Sequence, residues 1–137
     1  MSLHKLSLCE LQKKFTAGEV TAVEIVRAYF LRIGQVESKI RAYVTQTKDA
    51  ALQQAADLDA RLKGWRKTLP LTGMPLGIKD NLCTDGLPTT CASRMLQHFV
   101  PPYDATVIAK LRAQDYILLG KTNLDEFAMG SSTEHSA

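Results

Sequence analysis

Lys79 is the side chain best placed for chemistry in this sequence. It follows Met74-Pro75-Leu76-Gly77-Ile78, a short apolar run bounded by turn-forming residues that reads as a buried strand. A lysine at the carboxyl end of such a strand points its amine into the crevice where open α/β sheets bind ligands. Burial there is expected to favour the neutral amine, because desolvation penalises the ammonium form. A neutral amine is a usable general base. Taken alone, the position favours a solvated or salt-bridged lysine, since most lysines are exposed.

Other reactive types lack partners. Cys83 and Cys91 flank the loop near Lys79, but His4, His98 and His135 are scattered and none has a fixed relation to either thiol. The three cysteines, with Cys9, form no C-x-x-C pair and are odd in number, which argues against a disulfide framework or a zinc site. They read as reduced, partly buried thiols, and no metal site is expected. Asp125 and Glu126 are adjacent and diverge in a helical first turn, so they suit a helix dipole better than a carboxylate pair. Asp80 and Asn81 are expected to hold the loop after the strand. Ser131 follows a short helix in a stretch of small residues; on sequence alone this is a polar turn, though a ligand could approach its backbone closely.

Elements that would position these residues can be read from caps and periodicity. Ser7-x-x-Glu10 and Thr21-x-x-Glu24 are capping boxes. The first helix should end near Gly18, and the second carries Ile25, Tyr29, Ile33 and Val36 on one stripe. Ala42-Tyr43-Val44 is a strand candidate, followed by a helix with Ala51, Ala55, Leu58 and Leu62 on one face and Asp57, Asp59 and Lys63 off it. The basic, irregular stretch Gly64–Thr72 marks a boundary, giving a helical subdomain over 1–63 and the start of an α/β core over 64–137. Beyond it come the Met74–Ile78 strand, a glycine- and threonine-rich loop, and a helix capped by Asp104 or Thr106. The parallel-type strand Tyr116–Gly120 comes next, then a short helix capped by Asn123. Strand, helix, strand implies a β-α-β unit with an open sheet edge, and the polar run Gly130–Ala137 is not expected to be a domain ending.

At 137 residues with 45% hydrophobic and 23% charged residues, the chain can bury a real core. No apolar stretch approaches a membrane span and the first residues lack a secretion signal, so a cytoplasmic location is expected. The net charge of +3 comes from 17 basic and 14 acidic residues spread along the sequence. The densest basic patch, around Lys63, Arg66 and Lys67, is too small for a nucleic-acid footprint, and no G-x-x-x-x-G-K-[ST] is present to bind ATP.

Four blocks are too specific for composition: Gly73-Met74-Pro75-Leu76-Gly77-Ile78-Lys79-Asp80-Asn81, Thr89-Thr90-Cys91-Ala92-Ser93, Pro101-Pro102-Tyr103-Asp104-Ala105-Thr106-Val107, and Gly120-Lys121-Thr122-Asn123 running on through Glu134. Together they resemble the amidase-signature family. The text Asp125–Thr133 is similar to one branch of it, the A subunits of tRNA-dependent amidotransferases. Two departures stand out: Asp115-Tyr116 where similar proteins commonly have Gly-Ala, and His135 where they commonly have asparagine. Aspartate tolerates the left-handed conformation that the first position would need.

The resemblance implies an α/β fold in which N-terminal helices precede the first strands and helices of a mixed-sheet amidase-signature fold, incomplete in this chain. It implies that Lys79 is the catalytic lysine of a Ser-Ser-Lys relay, taking a proton from a bridging serine that activates a nucleophilic serine. The glycine- and serine-rich signature supplying both serines has no counterpart in these residues; Ser131 and Ser132 are not it. Met129, Gly130 and Ser131 are implied as substrate-binding residues. Glutamine is the implied amide donor, with its ammonia passed on for conversion of Glu-tRNA(Gln) to Gln-tRNA(Gln). B and C subunits would complete a heterotrimer, with Glu-tRNA(Gln) held through the B subunit. No cofactor is expected on this chain; ATP and Mg2+ would be used through a partner. Two alternatives stay open: the opening portion of a free-standing amidase for small amides, and a non-catalytic fragment that only binds partners.

Overall fold

Helix boundaries come from hydrogen bonds that the sequence supplies. In the computed structural model, which describes residues 2–63 and 68–137, α1 (Leu8–Ala17) starts where Ser7 Oγ accepts the Glu10 amide at 3.3 Å and the Glu10 carboxylate accepts the Ser7 amide at 2.8 Å. It stops at Gly18, whose φ of 77° closes the helix in the left-handed region. Helix α2 (Ala22–Ile40) opens with the same reciprocal box, Thr21 with Glu24. Its first amides have a second acceptor: the carboxylate of Asp59 takes Ala22 N at 2.9 Å and Val23 N at 3.1 Å. Asp59 lies off the apolar stripe of α3 (Lys48–Arg61), as expected, and thereby ties the end of α3 to the start of α2.

The expected stripe of α2 is buried at Ile25 and Ile33 and half-buried at Tyr29 and Val36, and Ala22, Val26 and Phe30 widen it. Against it packs the face of α3 made by Ala51, Ala55 and Leu58, with Leu62 at its margin. Leu11 and Phe15 of α1 complete this layer. Each large side chain of this layer, such as Leu11, Phe15, Ile25 or Leu58, contributes roughly 1.5–3 kcal/mol on removal from water.

Three strands form one sheet in the order β1-β3-β2, where β1 is Tyr43–Gln46, β2 is Pro75–Lys79 and β3 is Ile117–Thr122. Strand β2 runs parallel to β3 and β1 antiparallel to it. The parallel pair needs a crossover, which α4 (Thr106–Arg112) supplies, so the β-α-β unit is present. Alternation along β3 splits its side chains between two faces. Ile117 and Leu119 join the core under α1, α2 and α3, while Ile108 of α4 packs with Ile78 and Tyr116, with Leu118 alongside. The architecture is therefore mixed α/β, four helices and a three-stranded mixed sheet among the described residues. Strand β2 is at an edge, with β3 as its sheet neighbour.

The expected boundary at Gly64, and with it Arg66 and Lys67 of the basic patch, lies outside the described residues. Strand β1, from the first 63 residues, is hydrogen-bonded to β3.

Two expected caps are not formed. Helix α4 begins without a side-chain cap: Thr106 is its first residue, and Asp104 instead accepts the Asp85 amide at 2.8 Å and pairs with Arg112 at 2.5 Å. Asn123 starts no α-helix either. Its Oδ1 accepts the Leu124 amide at 2.9 Å and the Ser136 hydroxyl at 2.6 Å, and the chain then makes a single 3-10 turn, Glu126–Ala128, interrupted by a left-handed Phe127. A side chain engaged by a distant hydroxyl is not free to cap the next turn. Asp115 does adopt left-handed geometry, with φ of 56°.

Candidate active site

Lys79 is the last residue of β2, where the parallel strands deliver their carboxyl ends to a cluster of loops. Its side chain is exposed, not buried as the sequence led us to expect. Among the described strands β2 has β3 as its neighbour on one side only. The buried lysine is Lys121, on the central strand β3 and fully shielded from solvent.

Lys121 is the hub of the loops around Lys79. Its Nζ donates to the carbonyl of Leu82 at 2.9 Å and to Thr89 Oγ1 at 2.8 Å, and it lies 3.5 Å from Asp80 Oδ1. Burial pushes its pKa below the ordinary lysine value, and the Asp80 carboxylate pulls it back up. Asp80, also fully buried, accepts the Thr90 hydroxyl at 2.5 Å and the Thr90 amide at 3.0 Å through its other oxygen. Its own amide continues the ladder to Thr122 O, and its carbonyl receives the Cys91 amide, both at 3.0 Å. The expectation that Asp80 holds this loop is met.

Cys91 and Ala92 are successive non-glycine residues with φ of 51° and 52°. Left-handed geometry costs roughly 1–2 kcal/mol per residue, so the hydrogen bonds around them must hold it. They do so from both sides. Phe127 N donates to Cys91 O at 2.9 Å, Ala137 N to Ala92 O at 3.0 Å, and Ser93 Oγ to Glu126 at 2.6 Å. Residues 123–137 thus dock onto the loop that Asp80 organises.

Asp125 shapes that last segment. Its carboxylate accepts the amides of Ser132 at 3.1 Å, Thr133 at 2.9 Å and His135 at 2.9 Å, folding the chain into a cradle. These bonds, those from His135 and Thr133 foremost, hold its pKa below the usual carboxylate range. Met129, Gly130 and Ser131 form the exposed rim, with Met129 77% accessible. A Cβ at Gly130 would collide with the Asp125 carboxylate, so glycine is required by close approach. No hydrogen bond among the described residues joins Lys79 to this rim. The structure brings the two into one loop cluster through Cys91, which bonds to Asp80 on one side and Phe127 on the other.

The thiols are free: Cys83 and Cys91 are half-buried and Cys9 is exposed. Burial first, then the nearby Asp80, pushes the Cys91 thiol up, the opposite of an activated nucleophile. Among the described residues no group of three or more His, Cys, Asp or Glu side chains is placed to hold a metal ion, and no helix is long and apolar enough to cross a membrane.

Sequence reasoning missed Lys121 and the cradle role of Asp125. The signal for Lys121 was the opposite charge of Asp80, one residue after Lys79, at the matching end of the neighbouring parallel strand. Asp125 had no such signal, because its partners are main-chain amides.

The model of the Amidase family matches residues 24–137. The chain belongs to the amidase family. Among curated relatives of this amidase chain, the glutamyl-tRNA(Gln) amidotransferase A subunit of Desulforudis audaxviator is 51% identical over 137 residues, which is 100% of this chain and 28% of that protein. The protein of the same name from Thermosynechococcus vestitus is 57% identical over 128 residues, 93% of this chain and 27% of that one. The amidase chain therefore spans little more than a quarter of the length of the curated relatives it matches. Among solved structures, the native peptide amidase from Stenotrophomonas maltophilia superposes with a TM-score of 0.82 at 35% identity, over 90% of this chain and 26% of that one. Fatty acid amide hydrolase, at 23% identity and a TM-score of 0.86 over 93% of this chain and 22% of that one, shares the fold. The mixed α/β amidase fold expected from the sequence is thus confirmed over the part that this chain covers.

Proposed function

We propose that these residues are the lysine-bearing portion of a glutaminase-type amidase subunit of a tRNA-dependent amidotransferase. The observation that carries the reading is the 51–57% identity to amidotransferase A subunits over nearly the whole chain. Lys79, solvent-facing at the carboxyl end of an edge strand, supports it, because residues from further along the polypeptide can approach it there. In the mechanism, the Lys79 amine accepts a proton from a bridging serine, which takes one from the nucleophilic serine as that serine attacks the side-chain amide carbon of glutamine. The tetrahedral intermediate collapses as the bridging serine, reprotonated by Lys79, hands a proton to the amide nitrogen and the C–N bond breaks, releasing ammonia. Water then hydrolyses the acyl-serine to glutamate. Both serines come from outside residues 1–137, while Met129, Gly130 and Ser131 contact the substrate through main chain and hydroxyl.

The same reading assigns the tRNA, ATP and Mg2+ to partner subunits, the B and C subunits of a heterotrimer. The test is growth of cells lacking the A subunit. The full-length gene is expected to restore growth and its Lys79→Ala variant to fail, and a growing Lys79→Ala strain would refute the catalytic assignment. Residues 1–137 alone are expected to release no ammonia from glutamine; measurable release would refute the dependence on outside serines.

The likeness to peptide amidase favours a second reading, a free-standing amidase for small amides. Hydrolysis of a peptide amide by the full-length product without partners, together with failure to restore growth, would establish it instead.

A further inference from the structure

Lys121 is a second lysine in the loop cluster, and the proposed mechanism gives it no task. It is fully buried at the end of the central strand, and each of its three contacts is with the segment that begins one residue after Lys79: Asp80 Oδ1, Leu82 O and Thr89 Oγ1. Two of its ammonium donors are taken by hydrogen bonds to Leu82 O and Thr89 Oγ1, and Asp80 Oδ1 faces it as an ion pair at 3.5 Å. The Leu82 amide in turn donates to Lys79 O at 3.0 Å, so the turn that Lys121 grips closes directly onto the backbone of Lys79. Asp80 extends the grip through Thr90 to the left-handed Cys91 and Ala92. The ladder to Thr122 fixes the Lys79 backbone on the β3 side, and the turn that Lys121 grips fixes it from beyond the strand end.

We infer that Lys121 is a positioning residue for Lys79: through Asp80, Leu82 and Thr89 it fixes the turn that sets the height and direction of the Lys79 amine. This rests on the reading of Lys79 as the proton acceptor. Lys121 moves no proton itself and touches no substrate. A displacement of about 1 Å at a reacting group can cost about a hundredfold in rate, and removing this anchor frees the turn by that order.

The experiment uses the full-length product assembled with its partners, comparing Lys79→Ala, the pair variant Asp80→Asn/Lys121→Met, and Thr89→Val. The pair variant removes both charges together, so that no buried ion is left stranded. Expected for the folded pair variant is a kcat for glutamine hydrolysis lower by about a hundredfold with KM unchanged, the split that separates misplacement of a base from loss of substrate contacts. A folded pair variant with wild-type kcat overturns the inference. If the pair variant does not fold, Thr89→Val decides, since it keeps shape and removes one acceptor. A fall in kcat of roughly tenfold at constant KM supports the inference, and an unchanged kcat overturns it. The Lys79→Ala arm isolates the underlying reading. If that variant remains active, the assignment of Lys79 has failed; if it is inactive while the other variants keep full kcat, only the role of Lys121 has failed.

Discussion

Around Ile25 the chain is held by apolar contact: thirteen buried side chains from α1, α2, α3, β3 and Met74 form one cluster. Around Asp80 the order is reversed. There the segment between Lys79 and Ser93 has one short 3-10 turn after it and no regular element within it, and its shape is set by a buried ion pair and by side chains bonded to main-chain amides and carbonyls. The difference teaches where tolerance lies. A close-packed layer gives way in proportion to the volume removed, whereas a buried ionic network fails abruptly when one member is lost, because the remaining charge has no water to turn to.

This contrast can be broken or sharpened by mutation. Asp80→Ala should be the most damaging single change, costing about 3–5 kcal/mol because Lys121 is left buried without its counter-charge. Urea denaturation of the full-length product measures it, and a cost no larger than that of an exposed ion pair would dissolve the contrast. Ile25→Ala should cost about 3 kcal/mol by loss of transfer free energy and the cavity left behind. Unlike the first, it should leave the rate constant for catalysis unchanged in the fraction that is folded. Thr21→Ala should cost about 1 kcal/mol, since one of the amides at the start of α2 loses its acceptor while Asp59 still serves Ala22 and Val23.

The smallest effect on global stability is expected from acid. Asp125 has its pKa depressed in the folded chain by the amides it accepts, so its contribution is complete above the unfolded carboxylate value of about 3.9 and is lost as pH falls through the lower folded value. Hydrogen exchange at Ser132, Thr133 and His135 should therefore stay protected at neutral and mildly acidic pH and open below the usual carboxylate range, with the amides of α2 unaffected. Simultaneous loss of both would mean that the cradle and the helical layer are one cooperative unit.

Legibility in the sequence divides along the same line. Ser7, Gly18 and Thr21 declared helix ends because a hydroxyl, a carboxylate three residues later and a glycine free of Cβ are local chemical requirements. The apolar runs before Lys79 and within Tyr116–Gly120 declared strands for the same local reason. Asn123 and Asp104 carry the residue types of caps and serve as anchors for Ser136, Asp85 and Arg112 instead. Nothing in a linear string records that a side chain will be claimed by an amide ten or thirty residues away. Lys79 was legible as a strand-end lysine, but its exposure and the burial of Lys121 depend on which strand is central. That is a property of the sheet order.

The sheet order has a further consequence, in time. Among the described strands both β1 and β2 pair with β3, which is the last of the three to be made. At translation rates of about 5–20 residues per second, roughly 4–15 s separate the synthesis of Gln46 from that of Thr122. Within that interval α3 is made and can pack with α1 and α2, while β1 waits for β3 and the turn after Lys79, once made, waits for Lys121. The turn after Lys79 thus gains its anchor late, when the chain reaches the strand that lies between the other two.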